Sequence, residues 1–164
     1  MRLRKLELKD APLMLEWMHD DSVVHDLNRD FSAYTVKNCE DFINMSLSGN
    51  DIHMAIVDDE DTYMGTVSLK NIDHNEKTAE FGIAVRTAAM HKGYSAFAMR
   101  EIFDIAAENG LKRIFWCVSP GNRRALRFYD KNGYERAAYS RINVETDYPE
   151  DKINTFVWYL HSLD

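Results

Sequence analysis

The sequence predicts a mixed α+β fold, a sheet carrying helices on its faces, and three observations lead there. From His53 onward the apolar spacing switches to a period of two and keeps it through three successive segments. Two other stretches place apolar residues at helical spacing. The strand-like segments first run together and then alternate with helices, which fits neither an all-helical nor an all-strand architecture.

Each element follows from local chemistry. Residues 2–8 alternate apolar and charged side chains, as an edge or half-buried strand does. Asp10 offers a cap, and Pro12 suits the first turn of a helix through Met18 because an N–H there has no partner to lose. Residues 20–34 have no clean period. A second helix starts after Thr35, with Val36, Cys39 and Ile43 on one stripe. Residues 53–57, 62–69 and 80–86 read as an antiparallel meander, turned at Asp58-Asp59-Glu60-Asp61 and at residues 71–77. A long helix carries Ala96, Met99, Phe103 and Ala106 on one stripe and ends at Asn109-Gly110. Residues 113–118 form a buried strand, residues 122–131 a shorter helix stopped by Asn132-Gly133, and strands at 134–140 and 154–160 close the chain.

Composition bounds the function. With 164 residues, 45% hydrophobic and 29% charged, the chain can bury one core, and one domain over residues 1–164 is expected. No run approaches the ~18 apolar residues of a membrane span, and the opening MRLRKLELKD lacks the apolar stretch of a secretory signal. A cytoplasmic protein with no membrane partner is therefore expected. A net charge of −7 argues against a nucleic-acid surface, which needs a basic stripe. The acidic field attracts a cationic amine, although solubility explains the same sign. Cys39 and Cys117 sit in apolar patterns without metal-like spacing and read as reduced core thiols. His25, His53 and His74 are scattered, so no metal is expected, and the acidic run at 58–61 reads as a solvated turn. No pattern fixes the oligomeric state, and a homodimer is left open.

Chemistry concentrates in two stretches. Residues 85–96 lead from a strand into the long helix, with Gly93 and small residues at the entrance. Such a turn can aim backbone N–H groups and the positive end of the helix dipole at an anion, and His91 and Lys92 add side-chain charge. An ordinary strand-to-helix connection explains the same residues. It is not a Walker loop, because Lys92 precedes Gly93 and no GKS or GKT follows. The second stretch, residues 119–134, reads SPGNRRALRFYDKNGY.

Together the two stretches resemble the CoA-using acetyltransferases of the Gcn5-related N-acetyltransferase (GNAT) superfamily. The family's second signature, Asn-x-x-Ala-x-x-x-Tyr-x-x-x-Gly-Phe/Tyr, is met at Asn122, Ala125, Tyr129, Gly133 and Tyr134. Its first signature, Gln or Arg, two residues, Gly, one residue, then Gly or Ala, is matched at Gly93 but has Met90 and Ser95 at its ends. Losing a cation at Met90 removes one phosphate contact, while the backbone donors remain and His91, Lys92 or Arg86 can supply charge. The opening to Asp10, the Glu16-Trp17 pair and Ala79-Glu80-Phe81-Gly82-Ile83 resemble the branch holding ribosomal-protein (RimJ/RimL-type), polyamine and amino-sugar acetyltransferases. The resemblance implies the GNAT fold: a twisted, mostly antiparallel sheet of about seven strands with helices on both faces.

The resemblance also implies roles. Positioning two substrates can lower a barrier by ~7–11 kcal/mol, so acyl transfer from acetyl-CoA to an amine needs no covalent nucleophile. Alternation puts Phe81, Ile83 and Val85 on one strand face and Glu80, Gly82 and Ala84 on the other. Ile83, Ala84 and Val85 are implied to lie beside the thioester, with a backbone N–H for the oxyanion. His91, Lys92, Gly93, Tyr94, Ser95 and Ala96 are implied to hold the pyrophosphate. Glu80 is the implied general base, or else a glutamate on a solvated sheet face. Tyr129 is the implied general acid, although its stripe with Ala125 and Leu126 alone suggests a core aromatic. Asn122 is implied at the acyl-pantetheine end and suits a helix cap equally. Arg124, with Arg123, can reach the CoA phosphates or stay solvated. The acceptor is expected near residues 17–34, where Asp20, Asp21 and Asp26 can receive a cation or remain loop acids.

The implied function is transfer of an acetyl group from acetyl-CoA to a primary amine by direct attack, the amine belonging to a peptide or protein N-terminus or to a small molecule such as a polyamine. An amino-sugar or aminoglycoside acceptor is the alternative, as is a non-catalytic CoA-binding sensor. Met90 and Ser95 favour the sensor, and the presence of Asn122, Tyr129 and Glu80 opposes it.

Overall fold

The computed structural model describes residues 1–163. Its sheet has seven strands: β1 (Arg2–Lys5), β2 (Ile52–Val57), β3 (Tyr63–Asp73), β4 (Thr78–Val85), β5 (Arg113–Val118), β6 (Arg136–Ala137) and β7 (Val157–Ser162). They lie in the order β1-β2-β3-β4-β5-β7-β6, and every pairing is antiparallel except that of β4 with β5. The expected mixed architecture with a mostly antiparallel sheet is borne out.

Helices cover both faces. Helices α1 (Ala11–Met18), α2 (Asp21–Val24) and α3 (Val36–Ser46) precede β2 and cover Ala55, Val57 and Tyr63 with Met14, Trp17, Cys39 and Ile43. Thr35 caps α3 in a reciprocal box with Asn38, whose N–H it receives at 3.3 Å. The opposite face packs on α4 (Tyr94–Glu108) and α5 (Arg123–Lys131). Met99 and Ile102 of α4 are fully buried, a contribution of roughly 1.5–3 kcal/mol each. A third cluster of Phe115, Ile142, Phe156 and Trp158 closes the far end beneath α6 (Tyr139–Ile142) and α7 (Glu150–Thr155).

Three expectations need correction. The strand expected at 2–8 stops at Lys5, where Leu8–Asp10 turns into a 3-10 helix closed by Asp10. The strand expected at 134–140 shrinks to two paired residues, because Arg136 and Ala137 meet Tyr159 and Trp158 and the chain then coils into α6. The last strand starts at Val157 instead of residue 154, since α7 occupies the residues before it. The acidic turn is also more than solvated. Asp61 receives Arg2 at 2.5 Å, Arg4 at 2.9 Å and Lys9, which fastens the 58–61 turn to the basic first strand.

Candidate active site

The sheet parts at its centre. Strand β4 keeps its ladder with β3 through Val85, but pairs with β5 only at Thr78, Ala79 and Glu80. Beyond Glu80 the backbone groups of residues 81–85 that point away from β3 have no strand partner, and Ile83, Ala84 and Val85 are all partly exposed. A chain bearing amide groups can complete that edge as a strand would.

The turn at the head of α4 continues this edge. After the 3-10 turn Thr87–Ala89, His91 and Gly93 both take positive φ, 61° and 85°. The glycine pays no Cβ penalty there, and the wound turn points successive amides outward. Among the described residues none of six consecutive N–H groups, from His91 to Ala96, makes a well-aligned hydrogen bond; the ladder of α4 begins with Phe97 N–H to Gly93 O at 3.0 Å. His91, Lys92 and Gly93 are exposed, so these donors and the positive helix end face solvent together. The Tyr94 ring is buried in the core, which leaves only its backbone for a ligand.

Glu80 lies where β4 and β5 diverge, on the face shared with Gly82 and Ala84. It is 3% exposed, which corrects the solvated-face alternative. Its Oε1 accepts the Tyr148 hydroxyl at 2.5 Å and lies 3.5 Å from Lys70 Nζ, while Oε2 accepts Asn71 Nδ2 at 3.0 Å. Burial, with the Glu80 charge next, holds the Tyr148 phenol well above its ordinary value, so it stays a donor. The same phenol contacts Cys117, whose thiol burial pushes up to about 11.

Tyr129 stands on α5, 6% exposed, against Trp116, Tyr134 and Tyr159. The signature spacing has a backbone cause. Tyr134 N–H bonds to Tyr129 O and Gly133 N–H to Asp130 O, each at 3.1 Å, with Gly133 at φ 79°. This is a Schellman cap, and it locks the backbone of Tyr129 to that of Tyr134. Burial raises the Tyr129 phenol above its ordinary value, with Tyr159 adding to it. The hydroxyl has no partner among the described residues, yet is not among the fully sealed unpaired atoms, Thr78 Oγ1 and Trp116 Nε1. Asn122 caps α5, its Oδ1 taking Ala125 N–H at 3.1 Å.

The GNAT acetyltransferase domain profile matches residues 1–135. The chain belongs to the GNAT acetyltransferase family. It is 26% identical to the uncharacterized N-acetyltransferase p20 of Bacillus licheniformis, over 99% of this chain and 92% of that protein. Among solved structures it superposes on the Vibrio cholerae spermidine N-acetyltransferase in complex with CoA and spermine, with a TM-score of 0.79 at 18% identity over 99% of this chain and 95% of that one. A GNAT-family acetyltransferase from Bacillus anthracis gives a TM-score of 0.75 at 20% identity, over 98% and 93% of the two chains.

Arg86 is not free, because it makes a two-pronged pair with Glu16 at 2.9 and 3.0 Å and donates to Tyr63 O. Arg124 instead reaches the turn from α5, with Nη1 3.3 Å from Met90 Sδ and 3.4 Å from Ser22 O. Arg123 is exposed and joins no pair among the described residues. Residues 17–34 do carry a cleft of about 270 Å³, lined by Met18, Asp21, Arg29 and Phe31 among others. Asp20 is not available to it: the Ser22 and Thr87 hydroxyls, both at 2.6 Å, hold its carboxyl below the usual range. Sequence reasoning missed Tyr148, Asn71 and Lys70 around Glu80. Lys70 had a usable signal, since a hairpin centred on residue 75 sets it opposite Glu80 as a cross-strand ion pair.

Proposed function

We propose that this acetyltransferase transfers an acetyl group from acetyl-CoA to a primary amine by direct attack, within one domain spanning residues 1–164. The observation that carries the proposal is the run of six unpartnered N–H groups, His91 to Ala96, directly after the unpaired edge of β4. That edge and that turn fit a ligand with amides at one end and phosphates at the other. His91, Lys92, Gly93, Tyr94, Ser95 and Ala96 hold the pyrophosphate, the last four through backbone, and Arg124 adds charge beside Met90.

Acetyl-CoA supplies the thioester; the chain positions it and moves two protons. Ile83, Ala84 and Val85 hold the amide-bearing arm and present an N–H to the oxyanion. Glu80 takes the proton from the incoming ammonium. A carboxylate has about four lone-pair positions; Tyr148 and Asn71 take two by hydrogen bonds and the Lys70 ammonium lies 3.5 Å from Oε1, which leaves a position on Oε2 for the amine. Tyr129, kept protonated by burial, gives its proton to the departing thiolate. Asn122 fixes the start of α5 and so the placing of Tyr129. The two free cysteines support a reducing, cytoplasmic setting, and a peptide or protein N-terminus of the ribosomal-protein type or a small amine supplies the acceptor.

Acetyl-CoA is expected to raise the melting temperature of the purified protein, and an amine panel to release free thiol. Tyr129→Phe should slow thiol release by about 10²-fold or more while leaving acetyl-CoA binding within about twofold. Stabilisation with no thiol release from any amine would make the chain a CoA-binding sensor and overturn the catalytic assignment.

A further inference from the structure

The polar groups on the acceptor side of β4 hold a surplus of donors, and that surplus identifies the chemistry of the acceptor. Lys70 extends along the sheet face over Gly82, where an added Cβ would meet its Cε at 3.3 Å and its Nζ at 3.6 Å. Its ammonium thus lies beside Glu80 on the sheet face that β4 shares through Gly82 and Ala84. A lysine has three N–H donors and no acceptor. Among the described residues Lys70 has a single carboxylate within reach, Glu80 at 3.5 Å, a long contact beside the 2.7–2.9 Å of a tight charge-assisted bond. The Lys70 side chain is 37% exposed, so its spare donors are open to a ligand, whereas the Glu80 side chain is 4% exposed and nearly saturated.

The neighbouring groups do not alter this balance. His53 Nδ1 is engaged by Ser68 Oγ at 2.8 Å, and burial holds its ring below the ordinary imidazole value, uncharged at neutral pH. Asp51, the other carboxylate near His53, accepts the Ile72 N–H at 3.4 Å. This face of β4 therefore offers one vacant acceptor position on Glu80 and spare ammonium donors on Lys70.

We infer that the acceptor is an amino carboxylate, whose amine takes the remaining position on Glu80 while its carboxylate takes the spare donors of Lys70. The Lys70–Glu80 ion pair, with Nζ 3.5 Å from Oε1, sets the scale of the spacing, and Oε2 carries the vacant position. The four charged groups close into an alternating square when the acceptor's own amine and carboxylate are about as far apart, as they are on a single carbon atom. That is the head group of an α-amino acid. A polyamine brings further cations and no anion, and so opposes Lys70 instead of pairing with it.

The inference rests on the acetyltransferase reading, and the experiment separates the two. Thiol release from acetyl-CoA is followed with the full chain and three acceptor sets: free α-amino acids, the corresponding α-amides, and spermidine. Free amino acids are expected to exceed amides and spermidine by about tenfold or more in kcat/KM, the equivalent of one ionic contact. Lys70→Met should raise KM for amino acids by about the same factor, hold kcat within about threefold and abolish the preference over amides, with Lys70→Arg restoring part of it. Lys70→Gln repeats the measurement if the methionine variant fails to melt cooperatively. Spermidine or amides used as well as free amino acids by the wild-type protein, or an unchanged KM in the Lys70 variants, would overturn the inference and leave the acetyltransferase reading standing. No thiol release from any acceptor would overturn both.

Discussion

Replacing Gly65 with alanine probes whether the end of β4 is as tightly fixed as its proposed role requires. Gly65 lies on β3 opposite Val85, and a Cβ there would sit 2.5 Å from Ala84 O, 2.9 Å from Val85 Cα and 2.9 Å from Val85 Cγ1. Two of those atoms are backbone, and ordinary contact needs 3.4 Å or more, so the strands must separate by the better part of an ångström. Inserting a methyl into a packed site of this kind costs about 1–3 kcal/mol. For a chain of this size that corresponds to a melting temperature lower by about 2–12 °C. The groups forced to move are those of Ala84 and Val85, so acetyl-CoA affinity should fall with stability. Thermal melts and a binding isotherm measure both. Gly82→Ala is the control: its Cβ meets only the flexible end of Lys70, and its melting temperature should stay within about 2 °C of wild type. If Gly65→Ala melted and bound as wild type does, or Gly82→Ala fell as far, the steric reasoning would be refuted.

Gly133→Ala should lower stability by about 1–2 kcal/mol through backbone strain alone, because φ is 79° and no atom lies within 4 Å of the new Cβ; a urea titration reads it, and an unchanged midpoint would remove the Schellman cap as the cause. Asp61 has its carboxyl held down to about 2, by Lys9 first and then Arg4, against 3.8 unfolded. Its stabilising contribution is therefore complete above pH 3.8 and lost as the pH falls toward 2, so Asp61→Asn should flatten the acid limb of a stability profile in that window. With its thiol pushed up to about 11, Cys117 should resist iodoacetamide at pH 7.5 in the native protein and react on unfolding; rapid native labelling at that residue would contradict its burial.

Much of this fold could be read from local pattern, and the failures have physical causes. The β2 to β4 meander and the stripe on α4 follow a period that burial on one or both faces enforces. At residues 134–140 the alternation was misleading, because an edge strand's length depends on how far its partner β7 extends and not on its own side chains. The turn proposed to hold phosphate was legible as Gly93 at a helix entrance, but the state of its amides needed coordinates. Glu80 was legible through its strand. Its surroundings were not, since Tyr148 arrives from 68 positions away on a segment with no motif. Arg124 likewise reaches Met90 across 34 positions, a contact that sequence spacing alone does not show.

The parting of β4 from β5 has one further consequence. An unpaired strand edge normally sits at the rim of a sheet, where any other chain can add to it and begin an aggregate. Here the free edge is interior, with β5, β7 and β6 standing on its far side. A strand of another protein reaching that edge would have to enter between β4 and β5 and not add at the rim of the sheet. A slender ligand carrying amides, as proposed here, meets that demand with the least bulk. The geometry that leaves backbone groups unsatisfied thus also decides who can satisfy them, and the protein keeps a sticky edge without exposing its neighbours to it.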